Sequence, residues 1–162
     1  AQLIRGTRVD IPGLVGDTSY DLKVKSGVSE IMATVKPMKH DRTGYAHWKR
    51  SEGVGAYNND GTPKSDMSII YVTDSNKDSI SHGGRTGIYN ILNNASASSN
   101  LIVRIVGTVN VPSGVDRLSH MVRVRGSNLT IEGIGHNANI NRWGFTVGVT
   151  NSVEIRNLYF YD

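Results

Sequence analysis

The sequence predicts an all-β protein whose short strands stack as the turns of a parallel β-solenoid. From residue 67 onward the chain consists of short β-branched segments separated by Gly, Asn or Ser, which is the pattern of strands and turns. Pairs of these segments also recur at a nearly constant offset, which is typical of a coil stacked on a copy of itself. A β-sandwich gives short strands at regular spacing too, so it remains an open alternative at this point.

Seven segments carry the strand pattern, and one helix interrupts them. The predicted strands are Ser68–Val72, Leu101–Val106, Met121–Val124, Leu129–Ile131, Phe145–Val149, Val153–Ile155 and Leu158–Phe160. The predicted helix is Thr86–Asn94, in which Ile88, Ile91 and Leu92 share one face. Two asparagines end its pattern, as helix termini often require.

The repeat fixes which positions should face the core. Leu129, Ile131 and Ile134 align with Val153, Ile155 and Leu158 at an offset of 24, and Val122 and Val124 align with Phe145 and Val147 at an offset of 23. Alternate side chains of a strand point to opposite faces, so these aligned residues should line a narrow core. The arginines between them are expected to point outward as solvated charges; they are Arg104, Arg123, Arg125 and Arg156.

Residues 1–36 form a different kind of sequence. Leu14, Thr18 and Tyr20 precede an alternating strand, Asp21–Lys25, and this spacing resembles the tyrosine corner of a fibronectin type III domain. A generic hairpin is the alternative. Because a whole type III domain needs about 100 residues, we expect only its C-terminal strands in 1–36. Residues 37–66 would then be a linker and entry segment, and 67–162 the first coils of the solenoid.

Composition narrows the classes of partner. The net charge of +4 and the pI of about 9.4 favour an acidic partner, such as nucleic acid, anionic lipid or a polyuronate, although a basic surface can also lack any partner. The absence of cysteine excludes disulfide scaffolds and thiolate zinc sites. No apolar run approaches the roughly 18 residues that span a bilayer, so no membrane partner is predicted.

Five blocks of the chain carry a family resemblance. In order over residues 38–162 they are EGVGAYNNDGTPKSDMSIIYVTDSNKDSI, TGIYNILNN, LIVRIVGTVNV, SNLTIEGIGHNANINRWGF and VTNSVEIRNLYF. They resemble bacterial pectate lyases of the polysaccharide lyase family 1 type, and the last two blocks are the most specific. The resemblance implies a right-handed parallel β-helix, an N-terminal helix that caps the core, and a secreted, extracellular protein.

The resemblance also implies a chemistry, calcium-dependent cleavage of polygalacturonate by β-elimination. Calcium held by carboxylates makes the C5 proton of the uronate more acidic, an arginine removes that proton, and the glycosidic oxygen departs. In the family, the calcium aspartates and the catalytic arginine lie beyond the block that matches VEIRNLYF. We therefore assign no catalytic, substrate-binding or metal residue, and Asp162 is expected to be a turn or outer residue. The alternative function is a non-catalytic β-helical module that binds acidic polysaccharide, or a phage-type adhesin.

Other candidate sites are weak. Gly53 and Gly55 lack the strand and the Lys-Ser pair of a phosphate-binding loop. The segment His47–Arg50 combines aromatic and basic residues but belongs to no known nucleic-acid module, so no nucleic acid partner is predicted. Trp143 is expected to pack in a turn rather than stack on a sugar. The histidines lack zinc-site spacing and are expected in loops or at the surface; they are His40, His47, His82, His120 and His136.

The last predicted coil is expected to need a cover. Its inward candidates are Phe145, Val147, Val153, Ile155, Leu158 and Phe160. An uncovered end would forfeit roughly 5–9 kcal/mol of burial, which is comparable to the roughly 5–15 kcal/mol that stabilises a whole domain. We therefore expect a second chain that continues the same β-helix, which makes this chain an N-terminal fragment of the lyase that is inactive alone.

Overall fold

The chain is mostly β in the computed structural model, which describes residues 9–39, 41, 43–116 and 118–161. The strands are β1 (Tyr20–Ser26), β2 (Ser29–Val35), β3 (Ser68–Val72), β4 (Ser81–His82), β5 (Arg85–Thr86), β6 (Leu101–Val109), β7 (Met121–Val124), β8 (Leu129–Asn141), β9 (Gly144–Val147), β10 (Val153–Arg156) and β11 (Tyr159–Tyr161). The helices are α1 (Ile88–Leu92) and α2 (Ala95–Ser98), with a 3-10 turn at Tyr45–His47. None of the helices described is long and apolar enough to cross a membrane.

Two parallel sheets organise the part of the chain after residue 67. The larger sheet has the order β10-β8-β6-β3, and β11 pairs with the far end of β8. Its register places Leu101 beside Leu129, and Leu129 beside Val153. The smaller parallel sheet contains β7 and β9. The predicted all-β class is confirmed, and its main sheets are parallel.

The predicted register is confirmed for four pairs and wrong for one. Val153 pairs with Leu129 and Ile155 with Ile131 at the offset of 24, and β9 pairs with β7 at the offset of 23. The predicted pair of Leu158 with Ile134 does not form. The offset falls from 24 at Arg156–Glu132 to 20 at Tyr159–Asn139, because β8 advances by more residues than its partner between these two pairs.

The hydrophobic core lies between the two parallel sheets and the helices. It contains fully buried side chains of β6, β7 and β8, and the predicted helix face packs into it; these residues include Leu101, Val103, Val122, Leu129, Ile131, Ile88, Ile91 and Leu92. The helix is shorter than the predicted Thr86–Asn94. It begins after Gly87, whose φ is +84°, and Asn94 instead starts α2 by accepting a hydrogen bond from the N–H of Ala97.

A corner with a left-handed backbone comes immediately before each of three neighbouring strands of the larger sheet. Asn100, Asn128 and Ser152 immediately precede β6, β8 and β10, and their φ angles are +53°, +52° and +58°. The N–H of Asn100 donates to Ser127 O and the N–H of Asn128 donates to Asn151 O, both at 3.0 Å. Asn128 Nδ2 also donates to Asn100 Oδ1 at 3.2 Å. Asparagine tolerates this left-handed backbone better than most residues, which explains its use at the corner.

The N-terminal hairpin, β1 and β2, has one polar and one apolar face. The predicted strand Asp21–Lys25 lies within β1, and the Tyr20 hydroxyl accepts a hydrogen bond from the N–H of Val15 at 3.1 Å. Val24 and Ile31 pair across the hairpin and are 43% and 70% exposed. The assignment of residues 1–36 to a fibronectin type III-like domain stays a prediction.

Candidate functional site

A row of polar side chains crosses the outer face of the larger sheet. The strand register places Tyr71, Arg104, Glu132 and Arg156 side by side on β3, β6, β8 and β10. Side chains alternate along a strand, so this row faces away from the core residues Val103 and Ile131 next to it. With Tyr57 and Glu154, the row forms what we call the Glu132 cluster.

Glu132 uses both carboxylate oxygens within this cluster. Its Oε1 accepts hydrogen bonds from the Tyr57 hydroxyl at 2.6 Å and from Arg104 Nε at 3.0 Å. Its Oε2 accepts from Arg156 Nε at 3.1 Å and Nη2 at 2.7 Å. The guanidinium of Arg156 also lies 4.4 Å from the ring centroid of Tyr57. Glu132 is 2% exposed, so its carboxylate is already saturated and does not serve as a base or a metal ligand.

Tyr57, Arg104 and Arg156 keep their protons near neutral pH because the pKa of each is raised. Burial, followed by the negative charge of Glu132, raises the pKa of Tyr57 to about 12. Burial alone would lower the pKa of Arg104, but its hydrogen bonds to Tyr57, Tyr71 and Glu132 raise it overall. Burial likewise opposes the cation at Arg156, and the charges of Glu132 and Glu154 raise its pKa. These three groups are therefore not poised to transfer protons.

The cluster is buried because residues 44–66, which we call the covering segment, lie on the sheet. The N–H of Ala56 donates to Thr130 Oγ1 at 2.9 Å, and Lys64 Nζ donates to Gly55 O at 2.9 Å. Gly55 has a φ of +61°, and a Cβ at this position would collide with Thr130 Oγ1. Gly55 therefore allows a close approach of backbone to the sheet. A Cβ at Gly53 would instead collide with Tyr57 O inside the covering segment itself.

The outward arginines divide into two groups. Arg123 and Arg125 are exposed, as predicted. The prediction that Arg104 is solvated is wrong, since it is 6% exposed, and Arg156 is half-buried. Both lie under the covering segment, and Arg104 Nη2 also donates to Pro12 O at 3.4 Å. A segment that is distant in sequence thus converts surface charges into a buried network.

The four histidines that the structure describes do not assemble into a site. His47 lies in the 3-10 turn Tyr45–His47, within the predicted loop class, but it is buried, with Nε2 3.7 Å from Glu154 Oε1. His136 is exposed, and His82 and His120 are half-buried. His40, like Asp162, lies outside the described residues.

The two tryptophans behave differently. Trp143 is 4% exposed, donates from Nε1 to Val109 O at 2.9 Å, and packs edge-on against Phe145. The prediction that it packs in a turn is therefore confirmed. Trp48 is 66% exposed, with Lys49 Nζ 5.3 Å from its ring centroid.

A second feature, which we call the basic groove, lies on the outer face of β7 and β9. It is lined by Arg123, Val124, Arg125, Thr146, Gly148 and Val149. The register places Arg123 beside Thr146, and Arg125 is anchored at the end of α1 by a bond from its Nε to Asn93 Oδ1 at 3.0 Å. Neither guanidinium forms an ion pair with a carboxylate of the described residues. The groove thus presents positive charge to solvent.

The described residues do not fit the calcium site that the resemblance implies. Nowhere in 9–39, 41, 43–116 and 118–161 do three or more His, Asp or Glu side chains come together as metal ligands would. Glu132 and Glu154 lie on neighbouring strands, but arginine Arg156 binds both carboxylates. Calcium prefers several oxygen ligands free to coordinate it, so no catalytic step through calcium is derived for these residues.

Comparison of the chain with protein-family models, curated proteins and solved structures found no match. The resemblance to pectate lyases therefore rests on the quoted sequence blocks. Two structural features bear on function. The Glu132 cluster fastens the covering segment to the sheet, and the basic groove is open to a ligand.

Proposed function

We propose that the chain forms the first coils of a right-handed parallel β-helix. One observation carries this proposal: consecutive strands from β6 to β10 alternate between two parallel sheets, and β6, β7 and β8 each pair with the strand two places later. A chain that winds around one axis produces this order, whereas the hairpin connections of a sandwich produce antiparallel pairs. Parallel crossover connections are right-handed in about 98% of cases, which supports the proposed hand.

The helices support the proposed cap of the core. Ile91 and Leu92 of α1 and Ala97 of α2 are buried in the same cluster as Leu101 of β6. Both helices lie between β3, the edge strand of the larger sheet, and β6 in the chain. A helical segment in this position shields the apolar interior at the β3 side from water.

On this fold we propose a calcium-dependent pectate lyase, secreted and acting on polygalacturonate by β-elimination. The support is the sequence resemblance, which follows the chain in order and whose two most specific blocks fall on β8 and β10–β11. Calcium, where bound, would acidify the proton at C5 of the substrate. The residues described here would contribute the scaffold, and the calcium ligands and catalytic base would come from further coils.

Those coils are proposed to pair with the free side of β9, β10 and β11. Val147 is 46% exposed, Phe160 is 51% exposed, and Phe145 and Ile155 are only half-buried although they contact the core. Further parallel strands would cover these side chains and satisfy the unpaired backbone groups of the edge. Intact-mass analysis of the native protein is expected to reveal polypeptide that continues the coils, whether in a second chain or a longer one. A folded, monodisperse 17.6 kDa species alone would contradict this partner.

The lyase proposal has a direct test. The complete native protein is incubated with polygalacturonate and calcium, and the ultraviolet absorbance of the unsaturated product is followed. We expect absorbance to rise with calcium and to stop when EDTA is added. No rise, with or without EDTA, would reject the lyase.

The second candidate is a non-catalytic module that binds acidic polysaccharide, as an adhesin of phage type would. The net charge of +4 favours it, because a positive surface attracts polyanions. Retention of polygalacturonate without any rise in ultraviolet absorbance would select this candidate over the lyase.

A further inference from the structure

We propose that the chain carries a surface for peripheral binding to an anionic lipid bilayer. The surface is formed by Tyr45, Trp48, Lys49 and Arg50, which we call the Trp48 patch. Binding of this kind places side chains in the headgroup region and needs no helix that spans the membrane. This surface is independent of the proposed lyase activity.

The Trp48 patch holds two exposed aromatic rings on a folded turn. Tyr45 is 87% exposed and Trp48 is 66% exposed, and their ring centroids are 6.2 Å apart. His47 lies between them in the 3-10 turn and is buried. The N–H of Trp48 donates to Tyr45 O at 3.1 Å, and the N–H of Arg50 donates to His47 O at 3.2 Å. The buried His47 thus anchors a turn that presents both rings to solvent.

Positive charge is concentrated in the segment that contains the patch. Lys49 Nζ lies 5.3 Å from the ring centroid of Trp48, and Arg50 follows directly in the chain and is exposed. Residues 36–50 contain five of the 18 Lys and Arg residues and one of the 14 Asp and Glu residues, which leaves 13 of each sign in the rest of the chain. The net charge of +4 therefore arises entirely within this segment. Clustered Lys and Arg attract a protein to anionic lipid.

The ring geometry favours a lipid interface over a single-stranded nucleic acid. Proteins that bind single strands stack successive bases on aromatic faces. The planes of the Tyr45 and Trp48 rings are inclined by 52°, and Lys49 already lies over the Trp48 ring. The two rings therefore do not form a parallel platform for bases. A fluid headgroup region requires no such alignment, and Trp and Tyr are enriched there because each has an apolar body and a polar tip.

The exposed area of Trp48 is large enough to contribute to binding. A buried aromatic side chain covers about 150–250 Å², so a Trp that is 66% exposed offers on the order of 100 Å² to a bilayer. Transfer of about 60 Å² of apolar surface out of water changes a partition constant about tenfold. Stable attachment to a membrane takes two signals, and the patch combines an apolar one with a basic one.

The test measures sedimentation of the complete native protein with vesicles of phosphatidylglycerol and phosphatidylcholine, and with vesicles of phosphatidylcholine alone. We expect binding to the anionic vesicles, and added salt should weaken it. Lys49→Gln/Arg50→Gln should bind roughly 30-fold more weakly, and Trp48→Ala about tenfold more weakly. The control variant Lys25→Gln/Arg85→Gln removes the same charge from exposed positions on the two hairpins. It should bind within about twofold of the wild type.

Two further variants separate insertion of the ring from attraction of charge. Trp143 is buried and donates to a backbone carbonyl, so brominated lipid should quench the fluorescence of Trp48 and not that of Trp143. Trp48→Phe keeps an aromatic ring, so it should still sediment with the vesicles and lose the quenched component. Glu52 is exposed two residues beyond Arg50. Because Glu52→Gln removes a negative charge beside the patch, it should bind about fivefold more tightly.

Several results would overturn the proposal, provided that circular dichroism shows each variant to be folded. They are no sedimentation of the wild type with anionic vesicles, an equal loss in the control variant, and equal quenching in the wild type and Trp48→Phe. Weaker binding of Glu52→Gln would also contradict it. Binding of a single-stranded DNA oligonucleotide that depends on Trp48, without binding to vesicles, would replace the lipid bilayer with nucleic acid as the partner.

Discussion

The substitution Glu132→Gln tests whether the Glu132 cluster fastens the covering segment. The glutamine keeps the shape of the side chain and one oxygen that accepts from Tyr57 and Arg104. It replaces the other oxygen, which accepts two hydrogen bonds from Arg156, with an amino group that faces a donor. The substitution therefore removes two charge-assisted hydrogen bonds. It leaves Arg104 without its counter-ion beneath the covering segment, and Arg156 keeps only Glu154, at 3.5 Å.

The magnitude follows from the burial of the pair. The side chain of Glu132 is 3% exposed and that of Arg104 is 8% exposed, so little water is available to replace the lost charge. Removing one partner of a buried ion pair costs about 3–5 kcal/mol. The matched control is Glu30→Gln, whose carboxylate contacts Lys23 and Lys25 at the surface with 36% exposure. Exposed pairs contribute about 0–1 kcal/mol.

Two assays distinguish local release from a general loss of stability. Urea unfolding followed by circular dichroism gives the free energy of unfolding for both variants. Limited trypsin digestion reports whether the covering segment opens, because Lys49, Arg50 and Lys64 all lie within it. We expect faster cleavage there in Glu132→Gln only. Equal free energies of unfolding and equal cleavage rates in the two variants would refute the fastening role.

Three further predictions follow from burial, pKa and backbone geometry. Folded Tyr57 keeps its proton between pH 10 and 12 while the unfolded chain releases it, so the free energy of unfolding should fall with rising pH by up to about 3 kcal/mol. Urea titrations at several pH values should show a smaller fall for Tyr57→Phe. An equal fall in the wild type and in Tyr57→Phe would contradict this prediction. Ile155→Ala should destabilise the native protein as much as Ile131→Ala, by about 2–5 kcal/mol, because further coils are proposed to cover β10. If thermal unfolding shows half that loss for Ile155→Ala, no further strand covers β10. Gly84→Ala should lower the free energy of unfolding by about 1 kcal/mol through its positive φ alone. Gly55→Ala should lower it by about 1–3 kcal/mol more, because its Cβ also clashes with Thr130. Equal unfolding midpoints of the two variants in urea would exclude that clash.

The strands could be predicted because their signals are local. Ser68–Val72 and Met121–Val124 were predicted with the observed bounds, since β-branched alternation between turn residues marks both ends. The register of β10 on β8 could also be predicted, because a common offset aligns apolar positions. The predicted register failed at Leu158, because extra residues in β8 shift the pairing there. A constant period cannot reveal such an irregularity inside a strand.

The Glu132 cluster could not be predicted from local pattern. Arg104, Glu132 and Arg156 carry opposite charges at aligned positions, and the register would have placed them in one row. Nothing near them in the sequence indicates that residues 44–66 cover that row. Burial by a distant segment is a tertiary effect, and it changes these residues from solvated charges into a fastening network.

The recurring left-handed corner at Asn100, Asn128 and Ser152 governs where this chain can change its length. Strands β6, β8 and β10 start at residues 101, 129 and 153, so successive circuits differ in size although the corner before each stays in alignment. The difference is absorbed where the chain passes from the larger sheet to the smaller one, because residues 110–120 connect β6 to β7 whereas only residues 142–143 connect β8 to β9. Evolutionary insertions, and peptide tags added by design, should therefore be accepted in those distal loops and rejected at the asparagine corner.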